Sequence, residues 1–328
     1  MFEWNDKKIL ITGATGMIGS WLVKELLKRE AFVVALVRDI DYQTEFYRSG
    51  DYLKVSIVNG SIEDFSTINR AINEYEIDTV IHLGAQTIVG AAYRQPLLTF
   101  ESNIRGTYNL LEACRHGKNH VKRIVIASSD KAYGTSKQLP YTEDLPLNGI
   151  HPYDVSKSCT DLLASSYFHS YRLPLAITRC GNVYGGGDLN WSRIVPGTIR
   201  SVLSGKNPIV RSNGKCIRDY IYVKDIVLAY IRLAESITEK NLVGEAFNFS
   251  TESWTTVLEI VDEITKLMGR EDLESKIMNL PLKEIQEQSL SAEKAHRLLG
   301  WKSSYSLKKG LSETIEWYKN YFSDNSGI

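Results

Sequence analysis

The chain has 328 residues, of which 43% are hydrophobic and 24% charged, a balance that supports a substantial core and excludes an intrinsically disordered chain. Its 39 basic and 39 acidic side chains cancel, so no basic excess points to nucleic acid or to an anionic membrane, and any phosphate binding has to be local. The longest apolar runs are of strand length, which predicts no membrane partner. Four cysteines, Cys114, Cys159, Cys180 and Cys216, lack metal-ligand spacing, and are expected to be reduced thiols of a cytoplasmic protein that holds no metal. Met1 to Asp6 lead within a few residues into a strand and a glycine loop, leaving no room for a signal peptide.

In chain order, Lys7 to Thr12 reads as a buried strand and Ser20 to Arg29 as an amphipathic helix, with Trp21, Leu22 and Leu26 on its apolar face. Ala31 to Val37 is the second strand and Leu53 to Ile57 the third. A helix through Ile68, Ala71 and Ile72 follows, then a fourth strand over Thr79 to Leu83 and a long helix over Pro96 to His116. Arg123 to Ala127 is the fifth strand, the segment carrying Tyr153 is helical, and Leu175 to Arg179 is the sixth strand. Such alternation, with near-continuously apolar strands, predicts an α/β protein built on a Rossmann-type doubly wound parallel sheet. From Gly181 to Ile217 the pattern gives way to glycines, prolines and short elements. A β-rich stretch over Asp219 to Val223, a helix over Val227 to Ile237, a further strand of the main sheet at Ala246 to Ser250, and helices over Val257 to Met268 and Leu307 to Tyr321 complete the chain. A smaller second domain is therefore interleaved with the first: 1–180 with about 218–250 form the dinucleotide-binding part, 181–217 and 251–328 the other.

Three features carry chemistry. Gly13, Gly16 and Gly19 lie between the first strand and first helix, where glycines permit a tight turn and close approach of a pyrophosphate to the helix N-terminus. At the end of the second strand an acidic residue would bond the adenosine ribose and a basic one would accept a 2′-phosphate. The chain offers both, Asp39 for NAD and Arg38 for NADP. Tyr153 and Lys157 are spaced to share a helix face, where the ammonium favours the phenolate and brings the phenol toward a working general base.

With these in order behind Ser128-Ser129-Asp130-Lys131, the chain resembles an extended short-chain dehydrogenase/reductase of the nucleotide-sugar epimerase and dehydratase group, over nearly its whole length. His82-Leu83-Gly84-Ala85-Gln86, Asn103-Ile104-Arg105-Gly106-Thr107, Gly181 to Asp188, Arg193 to Pro196, Arg218 to Val223 and Leu299-Gly300-Trp301 support the likeness. Within the group it is most similar to the CDP-glucose 4,6-dehydratases, which also read Ser-Asp-Lys and share the early Gly-Ser-Trp-Leu. It departs from the pattern at Ser61, where relatives usually carry an Asp against adenine, and at Gly84. Its Arg-Asp-Tyr-Ile-Tyr-Val stretch looks more like dTDP-sugar enzymes or epimerases.

The resemblance implies a dinucleotide site made by Gly13, Thr15, Gly16, Met17, Ile18, Gly19, Arg38, Asp39, Ser61, Ile62, Leu83, Gly84 and Ala85, with Tyr153 and Lys157 at the nicotinamide end. It also implies a nucleotide-diphosphate hexose as substrate. Tyr153 would take the C4 hydroxyl proton, Ser129 would orient that hydroxyl, and Asp130 and Lys131 would serve as acid and base for loss of water across C5–C6. Arg193 and Arg218 would clamp the diphosphate, Asn182 would bond the phosphate or the sugar, and Gln86 and Tyr184 would line the sugar pocket. The expected activity is a 4,6-dehydratase; the alternative is a 4-epimerase using the same Tyr–Lys pair, and a non-catalytic NAD- or RNA-binding relative is the remote one. His82, ending an apolar strand, is read as a structural histidine. A homodimer is expected through the two long helices, with Tyr108, Leu111, Cys159, Leu163 and Tyr167 available to the contact.

Overall fold

A computed structural model describes residues 2–117, 119–280 and 285–325. Its strands are β1 (Lys8–Thr12), β2 (Phe32–Val37), β3 (Ser56–Asn59), β4 (Thr79–His82), β5 (Arg123–Ala127), β6 (Leu175–Cys180), β7 (Asn182–Tyr184), β8 (Ile209–Val210), β9 (Ile217–Tyr222), β10 (Ala246–Phe249), β11 (Trp254–Thr256) and β12 (Lys276–Ile277). Its helices are α1 (Met17–Lys28), α2 (Glu45–Arg48), α3 (Phe65–Glu74), α4 (Val89–Arg94), α5 (Pro96–Phe100), α6 (Gly106–His116), α7 (Pro152–Tyr171), α8 (Ile194–Leu203), α9 (Val223–Glu239), α10 (Val257–Leu267), α11 (Glu293–Leu299) and α12 (Leu307–Asn325).

Seven strands form one sheet in the order β10-β6-β5-β4-β1-β2-β3, and every neighbouring pair in it is parallel. Successive residues of a strand face opposite sides, and both sides are filled. Ile9, Ile11, Val33, Ala35 and Val125 pack under Leu22 and Leu26 of α1 and Tyr230 and Leu233 of α9. Leu10, Val34, Val80, Ile124 and Ile126 pack under Ile68 of α3, Leu110 and Leu111 of α6 and Ala164 of α7. The strand order turns back between β1 and β4, which opens a crevice beyond the carboxyl ends of the strands. Above that edge sit a three-stranded sheet, β11-β9-β7, and the pair β12-β8. These cover a third cluster with α8, α10 and α12, including Tyr184, Ile199, Tyr220, Ile260 and Tyr318.

Several elements differ from the expected bounds. Residues 51–54 form a short 3₁₀ turn rather than the start of a strand; Leu53 there is exposed, and pairing with β2 begins only at Ser56 opposite Val34. Helix α1 starts at Met17, because extended Gly16 is its N-cap, so the glycine loop runs straight into the first turn. The long helix over 96–116 is broken by a π-helical turn at Glu101–Arg105, a local widening often found beside functional sites. Asn103 in that turn clamps two neighbours: its carbonyl accepts from the Gln86 backbone at 2.7 Å, and its amide donates to Gln86 O at 3.0 Å and to Ser156 Oγ at 2.8 Å. Helices α2, α4, α8 and α11 have no counterpart among the helices expected from the sequence.

Candidate active site

A cavity of about 1200 Å³ lies over the crevice. Its floor is made by residues just past the ends of six strands: Gly13 after β1, Arg38 after β2, Gly60 after β3, Leu83 after β4, Ser128 after β5 and Gly181 after β6. Its roof comes from α8 and the segments around it.

The glycine loop closes tightly enough that side chains are excluded. Gly13 has φ +74°, and a Cβ there would meet the Gly84 backbone N at 2.8 Å; a Cβ on Gly19 would fall 2.1 Å from Gly13 O. No side chain caps α1 at Gly16, so its first-turn N–H groups are directed to the cavity, an arrangement suited to a pyrophosphate. Thr15, Met17 and Ile18 line the cavity with the three glycines, as do Ser61, Ile62, Leu83, Gly84 and Ala85. Arg38 and Asp39 both line it too, and are paired with each other, Arg38 Nε donating to Asp39 Oδ2 at 2.6 Å. Ser61 is backed by Glu63, whose carboxylate accepts from the hydroxyls of both Ser61 and Ser102. Sequence reasoning missed Glu63, which brings a carboxylate beside a position where relatives carry Asp.

The chemical groups gather where β5 ends and α7 begins. Ser129 caps a 3₁₀ turn over Asp130–Tyr133; its Oγ accepts from Lys131 N at 3.2 Å and donates to Asp130 Oδ1 at 2.9 Å. Proline at the first position of α7 starts that helix and places Tyr153 and Lys157 on its buried side. Lys157 Nζ donates to Ala127 O at 2.8 Å, and burial pulls its pKa down to about 8. Burial also pushes the Tyr153 phenol up to about 12, against the opposing effects of a hydrogen bond with Ser129 and the charge of Arg193. The expected lowering by Lys157 does not hold in the protein itself: desolvation of the phenolate is the largest effect, the opposing influences are those of Ser129 and Arg193, and the ammonium is engaged by a backbone carbonyl. His82 is fully enclosed, bonded through Nδ1 to Thr12 Oγ1 at 2.7 Å and through Nε2 to Thr107 Oγ1 at 3.2 Å. Burial holds it neutral, with a pKa of about 3, as a structural histidine would be.

Asn182, Tyr184, Arg193 and Arg218 line the other half of the cavity. Arg193 pairs with Asp188 at 3.1 Å and reaches Thr87 Oγ1 at 3.4 Å. Arg218 is buried and donates to the carbonyls of Ile217 at 2.8 Å and Gln286 at 3.3 Å. Gln86 does not join them. Its backbone is held by Asn103, its Oε1 accepts from Ile88 N at 2.8 Å, and it is absent from the cavity wall. Conversely, Asp154 and Gln288 line the cavity without having been singled out. Asp154, one residue from Tyr153 and raised by burial, could have been noticed in the sequence; Gln288 could not, since its partner Lys131 is 157 residues away.

A Rossmann-type sheet with a dinucleotide loop, a buried Tyr–Lys pair and an acid–amine pair beside it defines a class: the enzymes that oxidise and remodel nucleotide-linked sugars on a bound dinucleotide. The model of the GDP-mannose 4,6 dehydratase family matches residues 10–314, and the chain belongs to that family. It is 33% identical to a CDP-glucose 4,6-dehydratase of Salmonella typhimurium over 96% of this chain and 91% of that protein. Among solved structures, a dTDP-glucose 4,6-dehydratase from Bacillus anthracis in complex with NAD is 26% identical, covering 96% of this chain and 97% of its own, with a TM-score of 0.85. A UDP-glucose 4-epimerase from Thermotoga maritima with UDP-glucose is 27% identical, covering 96% and 99%, with a TM-score of 0.87. No described helix is long and apolar enough to cross a membrane.

Proposed function

We propose that this enzyme is a nucleotide-sugar 4,6-dehydratase that binds NAD and converts a nucleotide-diphosphate hexose to its 4-keto-6-deoxy derivative. The observation that carries the reading is the Ser129–Asp130–Lys131 turn opening into the same cavity as Tyr153 and Lys157. NAD supplies the hydride acceptor and donor. The glycine loop of α1 would bind its pyrophosphate, Arg38 and Asp39 would flank its adenosine ribose, and Lys157 would hold the nicotinamide ribose. Asp39 favours the unphosphorylated ribose.

Tyr153 accepts the C4 hydroxyl proton as the C4 hydride leaves, with Ser129 orienting that hydroxyl. The 4-keto group acidifies C5. Lys131 takes the C5 proton, a C5–C6 double bond forms, the C6–O bond breaks, and Asp130 protonates the departing hydroxyl as water. C5 regains a proton from Lys131 as C6 takes up hydride, and the proton that Tyr153 gained balances the one that Asp130 gave. Arg193, Arg218 and Asn182 hold the diphosphate, a role for which the arginine fork is suited. Tyr184 lines the sugar end.

Incubation with CDP-, dTDP-, GDP- and UDP-hexoses tests this: the expected product is lighter by one water. A 4-epimerase is the second reading, favoured by the likeness to the UDP-glucose 4-epimerase; it predicts an isomer of unchanged mass. The two-part division proposed for the chain assigns the diphosphate and sugar chiefly to the smaller part. The enzyme is further proposed to be a cytoplasmic homodimer. Leu111 cannot serve the contact, because it is enclosed in the core, whereas Leu97, Leu98, Tyr108 and Leu162 are exposed on α5, α6 and α7. A monomeric mass in solution scattering would contradict the dimer.

A further inference from the structure

A polar strap runs from the roof of the cavity to the floor through residues 285–291. Ile217 N donates to Gln286 O at 2.9 Å and Gln288 N to Ile217 O at 3.2 Å, while Tyr141 N donates to Ser289 O at 2.7 Å and Ser291 N to Tyr141 O at 2.9 Å. Gln288 therefore sits between two anchored points, one on β9 and one beside the buried Tyr133–Tyr141–Leu290 cluster. Its side chain is 1% exposed and lines the cavity. Its Oε1 accepts from Lys131 Nζ at 2.7 Å. An ammonium can only donate, so the carboxamide cannot be turned round without losing this bond. That orientation leaves Nε2 buried with no acceptor among the described residues. A buried amide donor is normally satisfied, and among the described residues this one has no protein partner.

We propose that Gln288 is the positioning residue for Lys131: its carbonyl fixes the amine over the hexose without adding negative charge, and its amide nitrogen is left to donate to a hydroxyl oxygen of that sugar. The proposal rests on the dehydratase reading. A base that must shed its proton before it can take one from C5 is served by a neutral acceptor, because a carboxylate at this position would hold the proton on. The other charged groups about Lys131 are Asp130 on its own turn and Asp154 from α7, whose carboxyl feels the Lys131 charge. On the strap side are Arg218 and Glu287, whose charges reach Tyr141 together with that of Asp130. Gln288 is the contact that fixes the amine by a direct side-chain bond.

The test compares Gln288→Glu and Gln288→Leu with the wild-type protein, using the nucleotide hexose that the wild type dehydrates. Reduced-dinucleotide formation reports C4 oxidation, deuterium uptake at C5 from heavy water reports the base, and water loss is followed across pH. Gln288→Glu, which keeps the shape, should move the rising limb of water loss upward by about one pH unit or more, with the rate recovering at high pH. Gln288→Leu should slow C5 exchange and water loss about tenfold or more, leave C4 oxidation within about twofold, and raise KM. Wild-type pH profiles and C5 exchange in both variants overturn the proposal. So does loss of dinucleotide binding, oxidation and elimination together in Gln288→Glu, which would assign the residue a structural role only. A wild-type protein that releases water from no nucleotide hexose defeats the dehydratase reading instead.

Discussion

Replacing Lys157 with methionine should yield a protein that is catalytically dead and more stable. The ammonium lies on the buried side of α7, and desolvation lowers its pKa from 10.5 to about 8, outweighing the opposing charges of Asp161 and Cys180. At about 1.4 kcal/mol per pH unit, that displacement is worth ~3 kcal/mol against the charged form in the folded state. A base whose pKa is lower folded than unfolded binds fewer protons when folded, over the interval between the two values. Stability therefore rises with pH from about 8 to about 10.5, and the full penalty acts below 8. Methionine removes the penalty but also the bond from Nζ to Ala127 O, which as a charge-assisted hydrogen bond contributes ~1.5–3 kcal/mol. The net gain at neutral pH is then ~1 kcal/mol, and the advantage should decline by ~3 kcal/mol as pH rises to where the wild-type lysine is neutral in both states. Urea unfolding of the dinucleotide-free proteins, followed by tryptophan fluorescence over that pH range, measures it. Because all other titrations cancel in the difference, a difference in unfolding free energy that stays flat with pH would refute the reasoning.

Tyr153→Phe should remove turnover and the transient reduced dinucleotide alike, by ~10²–10⁴-fold, whereas Lys131→Ala should spare the transient and block water loss. Full dehydration by Lys131→Ala would strip that residue of its role as base. Gly19→Ala would drive a methyl to 2.1 Å from Gly13 O and 2.8 Å from Ala14 Cα, backbone atoms that cannot step aside. It should cost ~1–3 kcal/mol in urea unfolding and weaken NAD binding by more than about tenfold; unaltered NAD titration would contradict the packing argument. Asp161→Ala would leave Arg179, now bonded by it at 2.8 and 3.2 Å, buried without its carboxylate beside Tyr133, a loss of ~3–5 kcal/mol visible as a lower urea midpoint. An unchanged midpoint would mean that the Tyr133 hydroxyl and the Glu143 carbonyl suffice for the guanidinium.

What could be read in the sequence was what repeats or lies close in the chain. The main-sheet strands stand out because a strand buried on both faces is apolar at every position, and the glycine loop and the Tyr153–Lys157 pair are legible because their parts are a few residues apart. The third strand was misplaced because Leu53 is apolar but exposed, and a short run carries no period to correct it. The π turn at Glu101–Arg105 leaves no local mark, since Asn103 is drawn in by bonds to Gln86 and Ser156 from other elements. Gln86 was placed in the sugar pocket by its motif, yet Asn103 and Ile88 turn it away. The Tyr153 phenol was expected to be lowered because the sequence shows the neighbouring lysine and not the burial of both.

The charges of the cavity are graded in depth, and the grading matches the chemistry proposed for each layer. At the rim the cations already hold carboxylates, Arg38 with Asp39 and Arg193 with Asp188. A diphosphate arriving there exchanges one anion for another, so geometry rather than bulk attraction selects it, in keeping with a chain of zero net charge. One layer down, Asp130 is buried and Lys131 is tied to the uncharged Gln288, which suits groups that must trade protons with the sugar rather than with each other. At the bottom, burial disfavours the charged forms of Tyr153 and Lys157. When bound, an oxidised nicotinamide adds the positive charge that favours the Tyr153 phenolate. Such a charge would make the phenolate available at neutral pH, and its loss on reduction would favour the neutral phenol again.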